Sequence, residues 1–143
     1  MNRKIFGISF VFLATLVIFA SCGKDDEEVT ITTSCVIQSI QNEGTAQERD
    51  ISGCWEHSAL ETQKATMKQE CEDGTMGGTA GTFAETVCPS ITAGIQGCEG
   101  IKTKYGGTAT IWYTGAYYQT DDGKTASASQ CTGQLSGTVT TKS

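Results

Sequence analysis

Residues 98–118 read Cys98-Glu99-Gly100-Ile101-Lys102-Thr103-Lys104-Tyr105-Gly106-Gly107-Thr108-Ala109-Thr110-Ile111-Trp112-Tyr113-Thr114-Gly115-Ala116-Tyr117-Tyr118. Two β-competent runs, 98–105 and 108–118, flank Gly106-Gly107, a two-residue hairpin signal. The segment Thr108 to Tyr113 combines β-branched and aromatic residues, which suit a pleated, half-buried surface. An antiparallel sheet is therefore the expected centre of the domain.

Other strands are expected on both sides of this hairpin. Val29, Ile31, Val36, Ile37 and Ile40 alternate in part around Cys35 and suit a first strand. Gln41 to Asp50 is a polar loop. Thr82 to Cys88 reads as a strand stopped by Pro89, the single proline, and Gly137 to Thr140 suits a last strand. Gly74 to Gly81 is a Gly/Thr-rich turn, and Thr120-Asp121-Asp122-Gly123-Lys124 is read as another turn. Residues 124–131 fit either a short Ala/Ser helix or a hairpin arm.

One main helix is expected at about residues 54–72. No glycine or proline follows Gly53 there until Gly74, and Ala, Leu, Glu, Gln, Lys and Met predominate. Leu60, Met67 and Cys71 fall at i, i+7 and i+11, and Ser58-x-x-Glu61 has the spacing of a capping box. The fold class is thus α+β: a small disulfide-stapled domain with that helix and an antiparallel β-sheet. A faint internal echo raises a duplicated strand–helix–strand unit, with chance similarity as the even alternative. Lys64 and Lys124 each precede a cysteine by seven residues (Cys71, Cys131). Cys35 and Cys98 stand ahead of those two, and the Gly-Thr steps Gly78-Thr79 and Gly137-Thr138 follow them.

The chain starts differently from the way it continues. Asn2-Arg3-Lys4 is polar and basic, residues 5–20 are apolar except for Gly7, Ser9 and Thr15, and Ser21-Cys22 follows. This is the n-region, h-region and small-residue cleavage site of a secretory signal. Phe19-Ala20-Ser21-Cys22 resembles the lipobox of bacterial lipoproteins, with Phe19 where an aliphatic residue is usual. The resemblance implies cleavage before Cys22 and lipid on its sulfur. Two or three acyl chains, at about 0.8 kcal/mol per buried methylene, make such an anchor stable. The expected organisation is a signal peptide over 1–21, a lipidated Cys22 and acidic tether over 22–33, and a Cys-rich domain over 34–143.

After Cys22 come Gly23, Lys24, Asp25, Asp26, Glu27 and Glu28. Four successive carboxylates repel one another and keep a tether extended. Lys24 with Asp25, Asp26, Glu27 and Glu28 also resembles the surface-export signal of some bacterial lipoproteins, and Gly23 stands where Asp would resemble an inner-membrane retention signal. The expected location is the outer membrane, lipid-anchored, at the cell surface or the periplasmic face.

Lys and Arg number 10 and Asp and Glu 16. Losing Arg3 and Lys4 with the signal would leave 8 basic residues against the same 16 acidic ones, a balance that argues against a nucleic-acid partner. Four of the five Phe lie before Cys22, leaving Phe83. So small a core needs cross-links. With Cys22 lipidated, Cys35, Cys54, Cys71, Cys88, Cys98 and Cys131 remain, an even number suited to three disulfides in an oxidising compartment, in any of fifteen pairings. No C-x-x-C pair occurs and the one histidine, His57, adjoins none of the cysteines, so neither zinc nor any other cofactor is expected. The layout of residues 35–140 also looks like small Cys-rich bacterial lipoproteins of unknown function, a resemblance that implies no activity.

Enzyme templates fail. No nucleophile elbow or phosphate loop is present. His57 and Glu61, at helical i, i+4 spacing, are better read as a solvent-facing pair than as metal ligands. The aromatic run is more suggestive. Trp112 and Tyr113 alternate along a strand and cannot both enter one core. Trp112, Tyr113, Tyr117 and Tyr118 are therefore a candidate binding face, set against the weightier alternative that these rings are the core. The expectation is a binding or interaction module anchored to the membrane by lipid, with a protein or carbohydrate ligand. A structural envelope lipoprotein or a small enzyme are the alternatives.

Intact-mass measurement of the chain recovered from membranes should give an acylated species beginning at Cys22, and Cys22→Ala should abolish lipid labelling. An unmodified Cys22 thiol in the wild-type protein would overturn this reading.

Overall fold

A computed structural model describes residues 28–143. The expected signal peptide, Cys22 and the acidic run as far as Glu27 lie outside the described residues. Eight strands and two helices follow in order: β1 (Thr30–Ile37), β2 (Ile40–Gln41), β3 (Arg49–Asp50), β4 (Gly53–Leu60), α1 (Lys64–Glu72), β5 (Gly81–Ala84), β6 (Gln96–Lys102), β7 (Thr108–Trp112), α2 (Asp121–Gly133) and β8 (Thr138–Thr141). Short 3-10 turns precede both helices, at Glu61–Gln63 and Ala116–Gln119. Six strands form one antiparallel sheet in the order β5-β1-β4-β7-β6-β8, and β2 and β3 make a separate two-stranded ribbon. The domain is α+β and carries three disulfides.

The expected helix over 54–72 is half strand. Gly53–Leu60 is β4, a central strand hydrogen-bonded to β1 on one side and β7 on the other, and α1 begins only at Lys64. Pairing with β1 along its whole length and with β7 over Cys54–Ser58 overrides the high helix propensity of Ala59 and Leu60, and β4 alternates as a sheet requires. Ser58 lies within β4, so the capping box does not form, and the N-cap of α1 has no side-chain hydrogen bond.

The expected turn at Thr120–Lys124 is instead the start of α2. Thr120 Oγ1 accepts from Gly123 N at 3.1 Å, and Asp121 and Asp122 complement the positive end of the helix dipole. The buried stripe of α2 is Gly123, Ser127 and Cys131, which has no apolar periodicity to reveal it in sequence. The β6–β7 hairpin closes with five residues, 103–107, not two: Lys102 pairs with Thr108, and Thr103 N donates to Gly107 O at 3.0 Å. The strand expected over 82–88 ends at Ala84, and the following residues carry Cys88 across to Cys54.

The sheet has a pseudo-twofold axis at its middle. In the first half, β1 pairs with β4, the chain passes through a 3-10 turn into α1, and β5 returns beside β1. In the second half, β6 pairs with β7, a 3-10 turn leads into α2, and β8 returns beside β6. The halves meet where β4 pairs antiparallel with β7. Cross-strand partners correspond: Cys35 faces Trp55 and Phe83, and Cys98 faces Ile111 and Val139. Trp55 and Ile111 are themselves opposite each other at the axis. The repeat is therefore strand–strand–helix–strand, one strand larger than the sequence suggested, and its Gly-Thr step is Gly81-Thr82, not Gly78-Thr79, against Gly137-Thr138.

Each half carries one strand-to-helix disulfide, Cys35–Cys71 and Cys98–Cys131, spanning 36 and 33 residues. A Cβ on Gly81 would collide with Cys35 Sγ, and one on Gly137 with Cys98 Sγ, so a glycine at the start of β5 and one just before β8 are pressed onto the disulfides. The residue four before each helical cysteine, Met67 or Ser127, is fully buried. The third bridge, Cys54–Cys88, lies on the other face of the sheet with Trp112, Val36, Ile91 and Ile95.

Non-reducing peptide mapping should return Cys35–Cys71, Cys54–Cys88 and Cys98–Cys131. Replacing either strand-to-helix pair by alanines should lower stability by about 3–4 kcal/mol, the entropy of closing loops of this length. A melting temperature unmoved by strong reductant would show that burial alone suffices.

Candidate functional site

The residues expected to form a single aromatic binding face are divided by the sheet. Trp112 is 8 % exposed and packs under the segment bearing Cys88, on the face away from the helices, with Lys142 Nζ 5.2 Å from its ring centre. Tyr113 is 4 % exposed and lies on the helix side. Tyr118 meets it at a tilt with ring centres 4.9 Å apart, Tyr117 lies 5.5 Å from Tyr118, and the Arg49 guanidinium lies 4.7 Å over Tyr117. Opposite-face placement of Trp112 and Tyr113 follows from strand alternation. The other face is roofed too, so both rings are core, and they form no exposed aromatic face.

What stays open is the midline of the helix side. Helix α1 packs on β1 and β5, and α2 on β6 and β8, so both helices sit over outer strands. Between them the inner strands β4 and β7 present Trp55, His57, Ile111 and Tyr113. Trp55 is only partly buried and touches the apolar clusters of both halves. A groove runs over it in two clefts.

The first cleft, about 190 Å³, is lined by Ile37, Ser39, Trp55, Tyr113, Tyr118 and Gln130, among others. The second, about 270 Å³, is lined by Trp55, His57, Glu70, Thr75, Ile101 and Tyr105, among others. They correspond through the pseudo-twofold. Ile37 pairs with Gly53 and Ile101 with Ala109, His57 and Tyr113 each lie two residues beyond the axial pair, and Glu70 and Gln130 each precede the helical cysteine.

The equivalent positions carry different chemistry. Glu70 accepts from Tyr105 Oη at 2.5 Å and from Lys104 Nζ at 2.7 Å. Lys104, and then the Tyr105 hydroxyl, hold its carboxyl below the usual range. Burial, reinforced by Glu70, raises the Tyr105 phenol. The first cleft has no charged lining residue, and burial pushes Tyr113 up to about 12.

His57 is 2 % exposed, so it is neither solvent-facing nor on a helix, and no i, i+4 relation to Glu61 survives. Its ring stacks on Trp55 at 5.9 Å and meets the edge of Tyr105 at 5.5 Å. Both ring nitrogens, like the Tyr113 hydroxyl, are buried without a protein partner. Burial lowers its pKa to about 4. Among the described residues no group of three His, Cys, Asp or Glu side chains is placed to hold a metal ion.

Trp55, Gln130 and Ser39 were not legible as site residues. They are far apart in sequence, and the only available signal was that Trp55 is one of two tryptophans in an aromatic-poor chain. No protein family, curated protein or solved structure matches the chain.

Because the folded imidazole binds a proton more weakly than the unfolded one, protonation favours unfolding. Stability should be full above pH 6.5 and fall as pH drops toward 4, by about 3 kcal/mol in all from this residue. His57→Phe should remove that component and, by eliminating two unpartnered nitrogens, match or exceed wild-type stability at neutral pH. Identical pH profiles for the two proteins in denaturant melts would refute the assignment.

Proposed function

We propose that the chain is an outer-membrane lipoprotein, anchored through Cys22, that acts as a binding module and takes its ligand in the groove over β4 and β7. One observation carries the choice of site: the sheet midline lies between the helices and leaves Trp55 partly open between the two clefts, where Tyr105, Trp112 and Tyr113 are buried. Large, rigid, amphipathic rings supply contact area at little entropic cost, which is why Trp and Tyr recur where proteins bind. The sequence supports export and anchoring through its leader and the Phe19-Ala20-Ser21-Cys22 motif. Three disulfides fit an oxidising compartment. The groove would thus be carried on a tether that includes Lys24, Asp25, Asp26, Glu27 and Glu28, facing either the cell exterior or the periplasm.

The purified chain applied to glycan and peptide arrays should retain a defined subset of probes, and Trp55→Ala should lose that subset while keeping the three disulfides. No retention, or equal retention by the two proteins, would eliminate the groove as the binding site.

A further inference from the structure

On the reading that the groove is the binding site, we infer that its ligand is a neutral saccharide chain, laid across Trp55 with one sugar unit in each cleft. Four features of the groove lead to that class of ligand.

The first is the backbone. Strands β4 and β7 are paired on both edges, so the floor offers no free N–H or C=O row to an added strand. An extended peptide lying there would leave its own amides unsatisfied, whereas strand-addition recognition depends on such a row. A sugar brings no backbone to be paired.

The second is charge. No charged residue lines the first cleft. The second cleft is lined by Glu70, Lys102 and Lys104, of which Lys104 is held by Glu70, while the register of Lys102 with Thr108 turns its side chain away from the face that carries His57. With acidic residues in excess over basic ones in the chain, nothing here attracts a phosphate or an acidic polymer.

The third is the polar rim. Gln130 and Ser39 in the first cleft carry amide and hydroxyl groups that donate and accept, while in the second the Thr75 hydroxyl is engaged with Asp73 and the Thr103 hydroxyl donates to Gly107 O. Ring hydroxyls, which also do both, match the first pair, and the partly open indole of Trp55 offers an apolar plane to the C–H face of a sugar ring.

The fourth is size and repetition. Each cleft, at about 190 and 270 Å³, is smaller than the roughly 300–1,000 Å³ typical of a whole-ligand pocket. Two related clefts flanking one ring suit a ligand that is itself built of repeated units. His57 and Tyr113 lie beneath this surface, with their polar atoms out of reach. They shape the floor and do not contact the sugar.

The two tryptophans permit a direct test, because Trp112 lies on the opposite face. In full-length Trp112→Phe protein, Trp55 is the only tryptophan, and its emission should shift on titration with at least one of maltotetraose, cellotetraose, xylotetraose, mannotetraose and chitotetraose. The responding tetrasaccharide should bind at least about tenfold more tightly than its monosaccharide, about 1.4 kcal/mol, because only the longer chain spans both clefts. By calorimetry on an otherwise wild-type chain, Trp55→Ala should abolish binding. Gln130→Ala, at an exposed helical position that leaves folding intact, should weaken it several-fold. Silence from all five glycans at millimolar concentration would overturn the inference, as would binding that survives both substitutions. A Trp55 response to neutral peptides alone would also overturn it, while leaving the groove itself as the binding site.

Discussion

The structure depends on two bridges between a strand and the helix above it, Cys35–Cys71 and Cys98–Cys131. Neither helix has the apolar stripe that normally holds a helix on a sheet. Helix α1 buries Met67 and Cys71, and α2 buries only Gly123, Ser127 and Cys131. Short helices are marginal in water and draw most of their stability from packing. Here the sulfur link supplies the attachment that side-chain area does not. It also sets the spacing, since each bridge lies within contact of a glycine at or just before the start of an edge strand. Strand, helix and returning strand are thereby fixed as one unit in each half.

Placing the bridges on β1 and β6 has a consequence at the centre of the molecule. Helices tied over outer strands leave the midline between β4 and β7 less covered, and the residues there are large: Trp55, His57, Ile111 and Tyr113. The pseudo-twofold gives two clefts of similar construction, while substitution at equivalent positions makes them differ. Glu70 with its Tyr105 and Lys104 partners stands against Gln130, and His57 against Tyr113. The buried imidazole and phenol without partners are destabilising in a domain with so little apolar material.

The parts of the fold legible in the sequence were those whose signal is local. The strand around Cys35, the β6–β7 hairpin and the last strand each rest on runs of β-branched residues, and the hairpin and the last strand also on adjoining glycines. The Gly-rich turn after α1 was legible for the same reason. The segment 53–60 was misread because Ala59, Leu60 and the absence of proline resemble a helix, and only its position between two partner strands makes it β4. The start of α2 was misread because Thr-Asp-Asp-Gly serves equally as a turn and as an N-cap with an acidic first turn. At the site, the aromatic run Trp112–Tyr118 offered the most visible candidate face, but Trp112 and Tyr113 are buried on opposite faces of the sheet. Trp55 and Gln130 sit 75 residues apart and meet only across the assembled sheet.

By itself the sequence determined that this would be a strand-rich domain with little apolar material, and that six cysteines were available to make three cross-links. Composition and parity suffice for that, because the apolar content of a chain bounds what it can bury. The expectation of a leader ending at Cys22 likewise rests on sequence alone, being drawn from a linear pattern. Tertiary structure alone decided which cysteines pair, that the faint echo between the halves is a pseudo-twofold, and how far each aromatic ring is buried. Pairing, symmetry and exposure depend on which strands lie side by side. That neighbour relation is set by long-range hydrogen bonding, which leaves little trace in the order of residues along the chain.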